Sequence, residues 1–261
     1  MTILEKNDLG GGIIQLRLNR PDVHNAFNAD LIAALREQFT ALSGDDSTRV
    51  IILSSNGKNF SAGGDLKWMQ AAAGYSYDEN VTDATLLAEM LASIYDCRKL
   101  VIAAVQGAAM GGGVGLTSCA DIAIAAPNAK FALSEVKLGL APSTISPYVI
   151  KAIGARQARR YFQTAEMFDA STAHHMGLVH EITDDPLSRA LEIAKAAVKN
   201  GPEAVIASKE LVDLVDGQAI TADLRHQTAE HIATRRASDE AKEGLKAFFE
   251  KRPASWSVTD E

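Results

Sequence analysis

The sequence has few of the features that mark several large classes of protein. Its two cysteines, Cys97 and Cys119, have no metal-binding spacing, so we expect neither a disulfide framework nor a zinc site. The formal net charge of −7 argues against general nucleic-acid binding, which needs a basic surface. The first twelve residues contain no basic stretch followed by an apolar run, so no signal peptide is predicted.

Long apolar runs and nucleotide-binding motifs are also missing. The longest apolar stretch, residues 101–116, contains five glycines and is shorter than the roughly 18 residues that span a bilayer. No G-x-x-x-x-G-K-[ST] pattern occurs, and the glycine spacing does not fit a dinucleotide-binding turn. His174 and His175 would point about 100° apart on a helix, so we predict no metal site. These absences favour a cytoplasmic protein with no membrane or nucleic-acid partner and no bound cofactor.

The order of the apolar segments predicts an α/β core followed by helices. Strands are predicted at residues 13–18, which alternate as a half-buried strand does, and at 50–53, 101–105 and 121–126. Helices are predicted between them from Asn28 onward, at 66–73 and at 84–95. After Pro142 the pattern is almost wholly helical, with one continuous helix predicted over residues 218–251. We therefore divide the chain into a core with the ligand site, residues 1–195, and a helical region for oligomerisation, residues 196–261.

Glycines follow two of the predicted strands, at Gly63 and Gly64 and at the triplet 111–113. Glycine lets backbone N–H groups approach a ligand, and two such turns can aim two N–H groups at one oxygen, which makes an oxyanion hole. Glu135 follows the next apolar segments, and a carboxyl group in apolar surroundings can exchange protons near neutral pH. From these residues alone, a tight helix–strand contact and a surface glutamate remain alternatives.

Five segments together carry a resemblance that covers nearly the whole chain. They are LNRPDVHNAFN, FSAGGDLKWM, VIAAVQGAAMGGGVGL, CADIAIAAPNAKFALSEVKLGLAP and EGLKAFFEKR. In this order and spacing they resemble the enoyl-CoA hydratase/isomerase (crotonase) superfamily. The resemblance implies an α/β spiral of repeated ββα units, C-terminal helices that form a homotrimer or a dimer of trimers, and an acyl-CoA thioester as substrate, with coenzyme A as part of the substrate.

The resemblance also implies roles for individual residues. The two oxyanion-hole N–H groups fall on Gly64 and Gly112, and Glu135 is the catalytic acid. The implied coenzyme A contacts are Asp22, Val23, His24, Ala62, Gly64, Asp65 and Leu66, with Lys251 near a phosphate. Trp68 is expected to line the acyl pocket.

One position departs from the pattern of typical hydratases, which carry two glutamates. The first of these falls on Gly115, which we expect to leave space for a carboxylate on the substrate. The segment SEVKLGLAPSTISPYVIKAIGARQARRYFQTAE is most similar to bacterial methylglutaconyl-CoA and carboxygeranoyl-CoA-type hydratases. We therefore predict a hydratase for a short or branched enoyl-CoA such as 3-methylglutaconyl-CoA, with Ser143 or Thr144 as anchors for the water. A Δ3,Δ2-enoyl-CoA isomerase and a noncatalytic acyl-CoA-binding protein are the alternatives.

Overall fold

A computed structural model describes residues 2–257 of the chain. Its strands are β1 (Leu4–Asp8), β2 (Ile13–Leu18), β3 (Val50–Ser55), β4 (Leu100–Val105), β5 (Ala108–Met110), β6 (Ile122–Ala125), β7 (Lys130–Ala132), β8 (Phe168–Asp169) and β9 (Glu181–Ile182). Its helices are α1 (Ala29–Gly44), α2 (Leu66–Ala72), α3 (Tyr77–Tyr95), α4 (Gly112–Cys119), α5 (Ser146–Thr164), α6 (Ala170–Met176), α7 (Pro186–Ala197), α8 (Pro202–Val215), α9 (Ala222–Ala237) and α10 (Asp239–Glu250).

The strands form two sheets. Six of them make one sheet in the order β1-β2-β3-β4-β6-β9, in which only the β1–β2 pair is antiparallel. The others make a small sheet in the order β5-β7-β8. Two strands of the large sheet are each followed by a shorter strand of the small sheet: β4 by β5 and then α4, and β6 by β7 and then a 3-10 turn. This repeat confirms the predicted spiral fold.

The large sheet is covered on both faces, and its central strands β3, β4 and β6 are mostly apolar. Ile51 and Leu53 of β3 face the main core, which contains the buried stripes of α1 and α3. Val50 and Ile52 face the opposite side and pack with α7. Parallel strands that are buried on both faces are expected to have continuous apolar sequences, and the sequences of β3 and β4 are mostly apolar.

Two helices differ from the sequence prediction because of capping residues. The α3 helix begins at Tyr77 rather than near residue 84, since Ser76 and Glu79 form a capping box that starts it earlier. The single helix predicted over 218–251 is wrong, because Ser238 adopts an extended conformation and its side chain caps α10. The strands β5 and β8, of three and two residues, were too short for periodicity to predict.

The C-terminal helices α8, α9 and α10 pack on one another in sequence order. Within the protomer α9 has no buried residue, and Ala247 is the only buried residue of α10. The predicted domain boundary at residue 195 falls inside α7, and α7 packs on the large sheet. The division into two regions stays a prediction. In the part of the chain that the structure describes, no helix is both long enough and apolar enough to cross a bilayer.

Candidate active site

The first glycine turn lies between β3 and α2 and is held from two sides. Phe27 donates its N–H to the carbonyl of Gly63 at 2.6 Å, and Asp65 donates its N–H to the carbonyl of Phe27 at 2.8 Å. These bonds flank Gly64, which pairs with Phe27 as an isolated parallel bridge. In this pairing the N–H of Gly64 is directed away from Phe27. Within the described residues the Gly64 N–H has no acceptor.

The second glycine turn lies between β5 and α4, directly beside the first. Met110 donates its N–H to the carbonyl of Ser61 at 2.8 Å, and Ser61 donates its N–H to the carbonyl of Ala108 at 3.0 Å. A Cβ atom on Gly63 would lie 2.9 Å from the carbonyl oxygen of Met110. Gly112 is the first residue of α4, so its N–H has no partner inside the helix. It donates to no acceptor in residues 2–257. Two free N–H groups therefore lie on adjacent turns.

Glu135 begins the 3-10 turn that follows β7 and faces the second glycine turn. A Cβ atom on Gly111 would lie 2.9 Å from Oε1 of Glu135, which leaves no room for a side chain there. The other carboxylate oxygen, Oε2, is buried and has no hydrogen-bond partner among the described residues. Burial raises the pKa of Glu135 above its ordinary value of 4.5, because the charged form loses hydration. A raised pKa suits a carboxyl group that takes up and releases protons near neutral pH.

The two turns and Glu135 open into one cavity of about 340 Å³. Its backbone wall is formed by the glycine turns, its apolar wall by aromatic and aliphatic side chains, and its polar wall by hydroxyl groups. The lining residues are Phe27, Ala62, Gly63, Gly64, Leu66, Trp68, Met69, Leu87, Gly111, Gly112, Ser134, Glu135, Leu138, Leu140, Ala141, Pro142, Ser143, Thr144 and Ile145. A mainly apolar cavity with a few convergent polar groups is typical of a small-molecule site.

Most of the predicted site residues meet in this cavity. Besides Gly64, Gly112 and Glu135, these are Ala62, Leu66, Trp68, Ser143 and Thr144. Leu66 is 82% exposed at the rim, which suits contact with an apolar ligand segment. The Trp68 indole N–H donates to Oδ1 of Asp83 at 3.1 Å, which fixes the ring as a wall between α2 and α3. The remaining predicted residues lie elsewhere.

Asp65 has a structural role in this arrangement. Its carboxylate caps α2 by accepting the Lys67 N–H at 2.9 Å and pairs with Arg20 at 2.8 Å. The hydrogen bond from Arg20 is the main reason why the pKa of Asp65 is lowered. Asp65 does not line the cavity.

The other predicted coenzyme A contacts lie outside the cavity lining. Asp22 and Val23 belong to an exposed 3-10 turn, and His24 ends it in a left-handed conformation. The carbonyl of His24 accepts the N–H of Ala62 at 2.9 Å, so this turn borders the first glycine turn. Lys251 ends α10 and is exposed.

The space expected at Gly115 is not there. A Cβ atom on Gly115 would lie 2.5 Å from Cγ2 of Ile145 and 3.5 Å from Cδ2 of Leu91. Gly115 is buried and does not line the cavity; Ile145 lines it instead. The position that would hold a second carboxylate therefore presents an apolar side chain.

Sequence reasoning missed Phe27, Leu87 and Ile145 as lining residues. Each lies in a segment whose apolar pattern indicates core packing alone. A larger cavity of about 600 Å³ borders α8, but its half-buried acid, Asp121, is paired with Lys209 at 2.9 Å. The smaller cavity, with its unpaired glutamate, is therefore the candidate active site.

Two free N–H groups in one cavity with a half-buried glutamate, whose Oε2 is buried and unpaired, define an acid–base site able to stabilise an oxyanion. The chain belongs to the enoyl-CoA hydratase/isomerase family, whose model matches residues 8–259. It is 32% identical over 259 residues to crotonyl-CoA hydratase of Syntrophomonas wolfei subsp. wolfei, covering 97% of this chain and 96% of that protein.

Two further relatives support this assignment. The 2,3-dehydroadipyl-CoA hydratase of Escherichia coli is 31% identical over 243 residues, covering 92% of this chain and 93% of that protein. A solved structure of an enoyl-CoA hydratase from Shewanella pealeana superposes with a TM-score of 0.95 at 42% identity, covering 98% of this chain and 96% of that one. These matches support an acyl-CoA thioester as the substrate class.

Proposed function

We propose that this protein is a hydratase that adds water across the 2,3 double bond of an enoyl-CoA thioester, with Glu135 as its single acid–base group. The observation that carries the proposal is the unpaired Oε2 of Glu135, in the same cavity as Gly64 and Gly112. A noncatalytic acyl-CoA-binding protein has no need of a buried, unpaired carboxylate, whose burial is unfavourable.

In this proposal the thioester oxygen accepts hydrogen bonds from the N–H groups of Gly64 and Gly112. Glu135 takes one proton from a water molecule, whose oxygen forms a bond to C3. The electrons of the double bond move to the thioester oxygen as an enolate, which the two N–H groups stabilise. The protonated Glu135 then delivers its proton to C2, and the enolate collapses to the 3-hydroxyacyl thioester. One carboxyl group is enough, because it is regenerated in each cycle.

The attacking water needs a second anchor besides Glu135. The Thr144 hydroxyl lines the cavity, is partly exposed and makes no hydrogen bond with any described residue. The Ser143 hydroxyl also lines the cavity, but it is 3.4 Å from the carbonyl of Ala141. Thr144 is therefore the better candidate of the two.

An isomerase is the second candidate, because Ile145 fills the place of a second acid. Glu135 would then remove a proton from C2 of a 3-enoyl thioester and return it to C4, with no water involved. An apolar wall opposite Glu135 would suit this reaction by excluding water.

The preference for 3-methylglutaconyl-CoA now rests on the sequence resemblance alone. Its physical reason, open space at Gly115, is removed by Ile145. None of the described residues that line the cavity is a lysine or an arginine, so a substrate carboxylate would depend on the hydroxyls of Ser143 and Thr144. We retain the preference as a proposal on that resemblance, and those hydroxyls are able to donate hydrogen bonds to a carboxylate.

Absorbance of the conjugated enoyl thioester distinguishes these possibilities. We expect crotonyl-CoA and 3-methylglutaconyl-CoA to lose absorbance as they are hydrated, with a higher kcat/KM for 3-methylglutaconyl-CoA. An isomerase instead generates absorbance from 3-hexenoyl-CoA. Rapid conversion of 3-hexenoyl-CoA without hydration of the other two would contradict the hydratase proposal, and no reaction with any of the three would favour a binding protein.

We also propose that the protein forms a homotrimer or a dimer of trimers through its C-terminal helices. Ile232, Leu245, Phe248 and Phe249 are exposed in the protomer, the two phenylalanines at 76% each. Leu211, Leu214 and Leu224 are only half-buried. We call these seven side chains together the C-terminal apolar face, and this much exposed apolar surface normally indicates an interface between subunits.

A further inference from the structure

Three apolar side chains, those of Trp68, Leu87 and Ile145, form what we call the inner wall of the candidate active site. Ile145 is buried, and Trp68 and Leu87 are partly buried and pack against the main core. By contrast, Leu66 at the rim of the same cavity is exposed. Because apolar groups are stabilised by contact with apolar surface, the hydrocarbon part of an acyl chain is expected to lie against the inner wall.

The α3 helix sets the order of the side chains in this wall. Asp83, Leu87 and Leu91 are spaced by four residues, so they share one face of α3 and are about 6 Å apart along its axis. Leu91 and Ile145 lie at one end, because both would meet a Cβ atom on the same glycine of α4. Leu87 lines the cavity one turn away, and Asp83 bonds the indole of Trp68 one turn further. The wall therefore runs from Ile145 through Leu87 to Trp68.

Trp68 is held in the wall by packing on one side and by a single hydrogen bond on the other. It is the α2 side chain that packs against the main core, and a Cβ atom on Gly64 would lie 3.7 Å from its Cε3 atom. Its indole N–H donates to Oδ1 of Asp83 at 3.1 Å, which joins α2 to α3. Hydrogen bonds to a charged acceptor are stronger than those between neutral groups. Without this bond, only packing keeps the ring in place.

The part of the chain that carries this bond is a cover rather than a piece of the core. Residues 66–89, which include α2 and the first three turns of α3, contain no buried residue. No second layer of buried side chains therefore lies behind the Trp68 ring. A ring that left its position would open the cavity toward solvent between the two helices.

We propose that Asp83 is a positioning residue for substrate selectivity. By fixing Trp68 it keeps the inner wall closed, so the cavity of about 340 Å³ admits short acyl chains and excludes long ones. Asp83 does not line the cavity itself, so it acts through Trp68. The proposal rests on the proposed function for its substrate, an acyl-CoA thioester, and adds to it the length of the acyl chain.

Selectivity between a short and a long substrate tests this role. The test compares kcat/KM for crotonyl-CoA and trans-2-decenoyl-CoA, and we expect the wild type to favour crotonyl-CoA. Asp83→Ala should raise the decenoyl-to-crotonyl ratio about tenfold or more, because a single methylene group in an apolar pocket changes kcat/KM by about 10-fold to 200-fold. Trp68→Phe keeps an aromatic ring without the N–H, so it should shift the ratio in the same direction. General structural damage would lower both values and leave the ratio unchanged.

Two controls separate the hydrogen bond from other effects of substitution. Asp83→Asn retains an oxygen that accepts the indole N–H, so it should keep the wild-type ratio. Asp78→Ala removes an exposed acid of α3 that does not line the cavity, and it should also keep that ratio. Asp83→Ala/Trp68→Phe should shift the ratio no further than Trp68→Phe alone, since both changes remove the same bond.

Binding without turnover separates this proposal from the proposed function. Calorimetry gives the dissociation constants of butyryl-CoA and decanoyl-CoA, and Asp83→Ala should shift their ratio in favour of decanoyl-CoA. If no thioester is turned over, the proposed function fails, and the ratio of dissociation constants still decides the role of Asp83. A wild type that favours the decenoyl substrate, equal ratios for the wild type and Asp83→Ala, or an equal shift in either control would overturn the proposal.

Discussion

Replacing Gly112 by alanine should disable the oxyanion hole while retaining the N–H group. A Cβ atom at this position would lie 2.8 Å from Cδ2 of Phe27 and nearer still to Cε2. Phe27 is only 1% exposed and is held by its own backbone bonds to the first glycine turn. The ring cannot move freely, so residue 112 must shift and take its N–H out of position.

The size of the expected effect follows from the geometry that catalysis requires. An oxyanion-hole donor must lie about 2.7–3.1 Å from the developing negative charge, and losing one donor costs about 100-fold to 1,000-fold in kcat. We therefore expect Gly112→Ala to lower kcat by about 100-fold, with a smaller change in the affinity for a CoA thioester. The assay is the loss of absorbance of crotonyl-CoA under saturating conditions.

The control restores the space that alanine takes. Phe27→Leu removes the ring atoms that the new Cβ would meet, so Gly112→Ala/Phe27→Leu should recover about tenfold or more of the lost kcat, judged against Phe27→Leu alone. Circular dichroism must first show that each variant is folded. A folded Gly112→Ala with more than about a tenth of the wild-type kcat would refute the assignment of this N–H group.

Three other outcomes follow from the packing, charge and surface of the protein. Gly115→Glu should lower the free energy of unfolding by about 1–3 kcal/mol, because its side chain would overlap Ile145. Gly115→Glu/Ile145→Ala should regain part of that stability, and equal melting temperatures for the wild type and Gly115→Glu would contradict this packing. Because the folded state holds the proton of Glu135 above the ordinary pKa of 4.5, stability falls as the pH rises through the window above that value. Glu135→Gln should therefore melt at a higher temperature than the wild type at pH 7, with no difference in melting temperature well below pH 4.5; the same difference at both pH values would contradict this reasoning. Light scattering at micromolar concentration should give a trimer or a dimer of trimers of the 27.8 kDa chain, and a monomer mass would contradict the role of the C-terminal apolar face.

Much of this fold could be predicted from the sequence because its strands are short buried runs with glycine at their ends. The strands β3 and β4 and the two glycine turns lie where the pattern placed them. The position of Glu135 followed from the same regularity, since it comes after the next strand of the small sheet. These features are local, so a single sequence contains them.

What could not be predicted depends on contacts between distant residues. Gly115 and Ile145 are thirty positions apart, and nothing in either segment indicates that one fills the space left by the other. The structural role of Asp65 depends on Arg20, forty-five positions earlier. In the sequence, α9 also looks like an ordinary surface helix. Only the fold shows that the protomer buries none of its residues.

The central claim is that one carboxyl group, Glu135, transfers the proton in this site. The most direct measurement compares wild type and Glu135→Gln for turnover of crotonyl-CoA, with the dissociation constant of a saturated CoA thioester measured on both. We predict a loss of about 100-fold to 10,000-fold in kcat with little change in the dissociation constant, because the amide keeps the shape but cannot exchange the proton. A variant that keeps more than about a tenth of the wild-type kcat would contradict the account.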